Sequence, residues 1–123
     1  MRVLIVEDDP SLTTALTLVL RQAGYEVIHR ESVDESRLLL GQTDVDAAVI
    51  DCGSKGGGRK FWQELEASEA YRGRVILLAG DPATLGPLRG NPRVYEKPFG
   101  YGELLDELAE CPPRPTSSRS PDT

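Results

Sequence analysis

Three places along the chain carry charge where their apolar neighbours would not call for it. Glu7 and Asp8 follow the run Val3–Val6, Asp51 follows Ala47–Ile50, and Lys97 follows the brief run Val94–Glu96. If these runs are strands of one parallel sheet, three carboxylates and one ammonium group meet along one rim. Carboxylates about 4 Å apart repel by about 4 kcal/mol at an effective dielectric near 20, so the cluster needs a compensating charge. A hard divalent cation supplies it. Mg²⁺ fits best, because it takes one or two carboxylates, keeps several waters and leaves room for phosphate oxygens. A carboxylate beside such an ion is also a workable nucleophile toward phosphorus, giving an aspartyl phosphate. A lysine opposite would hold another phosphoryl oxygen.

The elements that must position these groups are legible in the spacing of apolar residues. Val3–Val6 is a continuous apolar run, as suits a strand covered on both faces. Asp9 is placed to cap a helix whose first position is Pro10, and Leu12, Ala15, Leu16, Val19 and Ala23 follow on one face up to Gly24. Glu26–His29 reads as a second strand. Ser32 with Glu35 suggests a capping box for a short helix through Leu40, closed by Gly41. Ala47–Ile50 is the third strand, and the glycine-rich loop Gly53–Gly58 leads into a helix with Phe61, Trp62 and Leu65 as core residues. Val75–Leu78 is the fourth strand. The stretch after it, GDPATLGPLRGNP, holds so much Gly and Pro that a helix there must be short or broken. Val94–Glu96 is a fifth strand, and FGYGELLDELAEC is a last helix with Leu104, Leu108 and Cys111 on one side. Strands alternating with helices predict an α/β domain whose ligands sit beyond the carboxyl ends of its strands.

Composition narrows the function. The 123 residues suit a single domain, and 39% hydrophobic with 28% charged residues is ordinary for a soluble protein. A net charge of −6 argues against a nucleic-acid or anionic-membrane surface, both of which need a basic footprint. Cys52 and Cys111 are too few for a disulfide framework and fit a reducing compartment. No apolar run reaches the length of a membrane span, so the expectation is a soluble cytoplasmic domain. Residues 112–123, PPRPTSSRSPDT, have the composition of a disordered tail or linker.

With VLIVEDDP, DAAVID and KPF in this order and at these strand ends, the sequence resembles the receiver domains of two-component response regulators over residues 1–111. The resemblance implies a flavodoxin-like fold: a doubly wound five-stranded parallel sheet in the order 2-1-3-4-5, with helices on both faces. It implies Asp51 as the phosphoacceptor, with Glu7 and Asp8 as the acidic pair and Asp8 the more direct Mg²⁺ ligand. Gly53 falls where the family uses a backbone carbonyl as a further ligand, and Lys97 on the lysine that binds the phosphoryl group. The implied partner is a histidine kinase, separate or on the same chain as a hybrid, together with a downstream protein that the sequence does not name. Such a domain is a signalling module whose only catalysis is phosphoryl transfer and hydrolysis at its own aspartate.

The departures from the family pattern are equally specific. At the end of the fourth strand the family places Ser or Thr, and this chain has Ala79, which has no donor. The aromatic residue usual three positions before the lysine is Val94, with Tyr95 expected on the opposite side of the strand. The loop after the acceptor carries Lys55 where a proline is common. The alternative reading is therefore a pseudo-receiver interaction module that phosphorylation does not switch. A haloacid-dehalogenase-like phosphatase would want a second Asp two residues after the nucleophile, and that residue is Gly53. GSKGGGRK departs from a nucleotide phosphate loop, since Gly58 is followed by Arg59-Lys60 rather than by Lys and a hydroxyl residue. It reads as a flexible connector over the acceptor, from which Lys55 could reach the phosphoryl group. His29 has no second histidine to share a metal, and Cys52 reads as a packed thiol beside the site.

Overall fold

The computed structural model describes residues 1–81, 85–88 and 90–111. The tail expected at 112–123 lies outside these residues. Five parallel strands form one sheet in the order β2-β1-β3-β4-β5: β1 (Arg2–Val6), β2 (Glu26–Arg30), β3 (Ala47–Asp51), β4 (Val75–Ala79) and β5 (Val94–Glu96). Among the described residues, α1 (Pro10–Gln22), α2 (Val33–Gln42) and α3 (Gly58–Ala67) connect the first four strands, and α4 (Tyr101–Ala109) follows β5. The strand order and the alternation are those expected of a flavodoxin-like receiver.

The uninterrupted apolar strands are explained by two cores, one on each face of the sheet. Leu4, Val6, Ala48, Ile50, Val75 and Leu77 pack with Val33 and Leu39 of α2 and with Phe61, Trp62 and Leu65 of α3. Their strand neighbours Val3, Ile5, Ala47, Val49, Ile76 and Leu78 pack on the other face with Leu16 and Leu20 of α1 and Leu104 and Leu108 of α4. Successive side chains of a strand point to opposite faces, so a strand covered twice is apolar at every position. Each such Leu or Ile contributes about 1.5–3 kcal/mol by leaving water. The edge strand β2 is only partly covered, and its sequence EVIHR is correspondingly mixed.

Local details refine the sequence reading. Asp9 caps α1 by accepting from the Ser11 amide, and Gly24, at φ +94°, follows the Ala23 cap. Ser32 caps α2 as expected, but the Glu35 carboxylate accepts from the amide of Glu31, one residue before the capping-box partner. Gly41 does not close α2. The helix runs on to Gln42 and ends at Thr43, whose amide donates to the Leu39 carbonyl. A single helical glycine costs about 1 kcal/mol, too little to stop a helix that buries Val33 and Leu39. The last helix starts at Tyr101, and Cys111 lies just past it, half-buried against the α1/α4 core. Between β4 and β5 the described residues include a 3₁₀ turn, Gly86–Leu88. No helix among the described residues is long and apolar enough to cross a membrane.

Candidate functional site

Strand register assembles the rim. The last β1–β3 rung pairs Val6 with Ile50, so the next residues, Glu7 and Asp51, stand side by side at the strand ends, with Asp51 still paired to Leu78 of β4. On the far side β4 and β5 pair through Ala79 and Glu96, and the Lys97 amide then donates to the Ala79 carbonyl at 2.8 Å. The sequence-predicted residues Glu7, Asp8, Asp51, Gly53 and Lys97 thus come together at the carboxyl ends of the strands.

Lys97 Nζ donates to Asp51 Oδ1 and lies 3.8 Å from Glu7 Oε1. The Gly53 amide donates to Asp51 Oδ2 at 2.9 Å. Glu7 is 1% exposed, and its Oε2 accepts from the amides of Asp8 and Asp9. Its other oxygen, Oε1, is buried without a hydrogen-bond partner. Burial raises the Glu7 carboxyl above its ordinary range and the charge of Asp51 adds to this, while the Asp9 amide and Lys97 pull it back in part. For Lys97, burial alone would lower the pKa, but the hydrogen bond and charge of Asp51, aided by Glu7, leave it raised.

A buried carboxylate oxygen without a donor is costly, and it marks the place where a cation would belong. One carboxylate oxygen each from Glu7, Asp8 and Asp51 lie within 4.8 Å of one another. Glu7 and Asp51 are buried, whereas Asp8 is exposed. An all-oxygen donor set open to water on one side fits Mg²⁺, which keeps several waters when bound. Beside these groups a cleft of about 350 Å³ is lined by Asp51, Cys52, Gly53, Gly80, Asp81 and Lys97. Gly53 and Gly80 add no side chains to this cleft, and Asp51 beside them is 7% exposed.

The loop carrying GSKGGGRK is hydrogen-bonded to both β1 and the start of α2. The Lys55 carbonyl accepts from the Val33 amide at 2.9 Å, and the Ser54 hydroxyl donates to the Val6 carbonyl at 3.1 Å. An alanine Cβ at Gly58 would fall 2.0 Å from the Asp51 carbonyl oxygen, so the start of α3 is pressed against the backbone of the acceptor. Lys55 engages α2 through its backbone, and its side chain is not among those lining the Asp51 cleft. Cys52 is half-buried against the α2/α3 core, as expected of a packed thiol. Trp62 and Phe61 are core residues, and the Trp62 indole donates to the Val75 carbonyl at 2.9 Å.

Two features escaped the sequence reading. His29 Nε2 lies 2.7 Å from the Glu7 carbonyl; that oxygen only accepts, so the ring nitrogen carries the proton. The Lys97–Pro98 peptide is cis. On the β4–β5 side, Ala79 is fully buried beside Lys97. Val94 packs with the α2/α3 core while Tyr95 packs with the α1/α4 core, on the face predicted for it.

Solved receiver domains share the fold of this chain. The chain superimposes on the signal receiver domain of a signal transduction histidine kinase from Syntrophus aciditrophicus with a TM-score of 0.77 at 24% identity, over 95% of this chain and 96% of that one. The receiver domain of a sensor histidine kinase from Pseudomonas aeruginosa PAO1, with a magnesium ion coordinated in its active-site cleft, gives 0.68 at 26% identity, over 89% and 95%. The BeF₃-activated N-terminal receiver domain of Klebsiella pneumoniae RstA gives 0.76 at 18% identity, over 90% and 97%. No family model and no curated protein matches the chain.

Proposed function

We propose that this chain, folded as the receiver domains of two-component signalling are, accepts a phosphoryl group on Asp51 from the phosphohistidine of a histidine kinase in the cytoplasm. The observation that carries the reading is the convergence of Asp51, Lys97 and the donorless Glu7 Oε1 at one end of the sheet. An Asp51 carboxylate oxygen attacks phosphorus, an O–P bond forms, and the P–N bond of the donor breaks with its electron pair returning to the imidazole. Lys97, already at Asp51 Oδ1, shifts its hydrogen bond to a phosphoryl oxygen. The Gly53 amide holds Asp51 Oδ2 while Lys97 holds Oδ1, and together they fix the orientation of the carboxylate. Glu7 and Asp8, with Asp51 and the Gly53 carbonyl, would hold Mg²⁺, which when bound neutralises charge on the transferring group. Hydrolysis at the same residue would return the domain to its starting state.

Intact mass after incubation with a small phosphodonor and Mg²⁺ tests this. One added phosphoryl group is expected, labile to base as an acyl phosphate is, and absent in Asp51→Asn. A modification that persists in Asp51→Asn would move the acceptor elsewhere. The second reading, an interaction module that phosphorylation does not switch, is favoured by Ala79, which is buried beside Lys97 and offers no hydrogen-bond donor. A wild type that takes up no phosphoryl group would favour it over the first.

A further inference from the structure

We propose that Ser54 is a positioning residue that sets the spacing between the two halves of the acidic rim. Ser54 lies between Gly53 and the exposed Lys55 in a glycine-rich loop, where a serine ordinarily faces water, yet it is 3% exposed. Its hydroxyl donates to the carbonyl of Val6, 48 positions away, at 3.1 Å. That carbonyl belongs to the peptide bond leading into Glu7, and the bond lies just past the last β1–β3 rung, Val6–Ile50. The β1–β3 pairing ends there, while the β3–β4 ladder runs on, with the Cys52 amide bonding the Leu78 carbonyl at 2.8 Å. The Ser54 hydroxyl therefore continues the attachment of β1 to the acceptor loop beyond the point where the backbone ladder does so.

The backbone of Ser54 is fixed as well. Its amide donates to the Asp51 carbonyl at 3.1 Å, and its own carbonyl accepts from the Gly57 amide at 3.2 Å. One side chain thus joins the segment presenting Asp51 and Gly53 to the segment presenting Glu7 and Asp8. Losing a partner that orients a metal ligand commonly costs about tenfold to a hundredfold in affinity. The inference takes its metal from the phosphoacceptor reading, but the strut itself is a property of the metal-free chain.

Both aspects are measurable on the full chain. Ser54→Ala is expected to weaken Mg²⁺ binding about tenfold by titration. In metal-free protein it should also speed amide exchange at Asp8, Asp9 and Gly53, whose N–H groups bond to rim carboxylates. Leu108→Ala, in the core on the other face of the sheet, serves as the control for general destabilisation and should leave both readouts unchanged. Ser54→Thr keeps the hydroxyl and should restore both. Unchanged affinity and exchange in Ser54→Ala, equal changes in Leu108→Ala, or a Thr variant that behaves like Ala would each overturn the inference. If wild type binds no Mg²⁺, the phosphoacceptor reading fails, and amide exchange at the three positions alone decides for or against Ser54.

Discussion

The β1–β3 end of the rim and the β4–β5 shoulder are built to different standards. At the first, Asp51 is held by Lys97 and the Gly53 amide, Glu7 by two amides, and the loop by Ser54 and Lys55. At the second, Ala79 offers no donor, Val94 no ring, and the described residues between β4 and β5 include a 3₁₀ turn. Capturing a phosphoryl group needs the first region and, from the second, Lys97 alone, whereas transmitting its arrival needs the rest of the second. The two tasks are separable in this fold, and glycine substitutions offer the sharpest contrast between them. Gly58→Ala drives a Cβ to 2.0 Å from the Asp51 carbonyl, whereas a Cβ at Gly80 meets nothing within 4 Å. Gly58→Ala should cost about 3 kcal/mol of stability, at the upper end for overpacking. Gly80→Ala should change stability by no more than about 1 kcal/mol. Urea midpoints of the two variants decide it, and equal midpoints would erase the distinction.

The next effect in size is the response to metal. With Mg²⁺ at a hundredfold excess over its Kd, linkage should raise wild-type stability by about 2.7 kcal/mol. Asp8→Ala should lose most of that gain. Melting temperatures with and without Mg²⁺ measure both, and an equal wild-type temperature in the two buffers would remove the metal from the rim.

The rim was far more legible than its supports. Glu7, Asp8, Asp51 and Lys97 each end or follow a short strand, and an acid after an apolar run signals its place whatever the loops do. The central strands were equally plain, because burial on both faces leaves no polar position. Ser54 gave no such signal: a serine among glycines reads as loop, and only the β1–β3 register brings it under the Val6 carbonyl. His29 was obscured in the same way, since its partner is a backbone carbonyl 22 positions away and leaves no mark in the side-chain pattern. Gly41 misled because a glycine near a helix end ordinarily caps it, and here the Thr43–Leu39 bond closes the helix two residues later.

A smaller effect is the pH dependence of the metal-free rim. The Glu7 carboxyl is raised by burial and by Asp51, so folding favours its protonated form. That contribution is fully present below the ordinary carboxylate range and is lost as pH rises through the raised value. Wild-type stability without Mg²⁺ should therefore fall over that window, and Glu7→Gln should flatten the fall. Urea midpoints against pH provide the measurement. A steeper decline in Glu7→Gln than in wild type would show that Glu7 is not the group responsible.

The smallest response is expected from the shoulder itself. A charge-assisted hydrogen bond from a hydroxyl at position 79 to the phosphoryl group would contribute about 1.5–3 kcal/mol, and Ala79 supplies none. A ligand shifts a conformational equilibrium only by the difference in its affinity for the two states. Tyr95 does not replace the missing ring of Val94. It packs edge-on against Phe99 on the opposite face of the sheet, and its hydroxyl donates to the Glu103 carbonyl at 3.1 Å. Fluoroberyllate, which stands in for the phosphoryl group, should therefore shift backbone NMR signals near Asp8, Asp51 and Lys97 while leaving residues 85–108, apart from those flanking Lys97, almost unmoved. Ala79→Thr should tighten fluoroberyllate binding but restore little of that response, because no ring follows the hydroxyl inward. Ala79→Thr with Val94→Tyr should restore more of it, since the new ring would start from the α2/α3 side of β5 on which Val94 now packs. Large shifts across residues 85–108 in the unmodified chain would mean that the shoulder is coupled to Asp51 by contacts other than a hydroxyl and a ring.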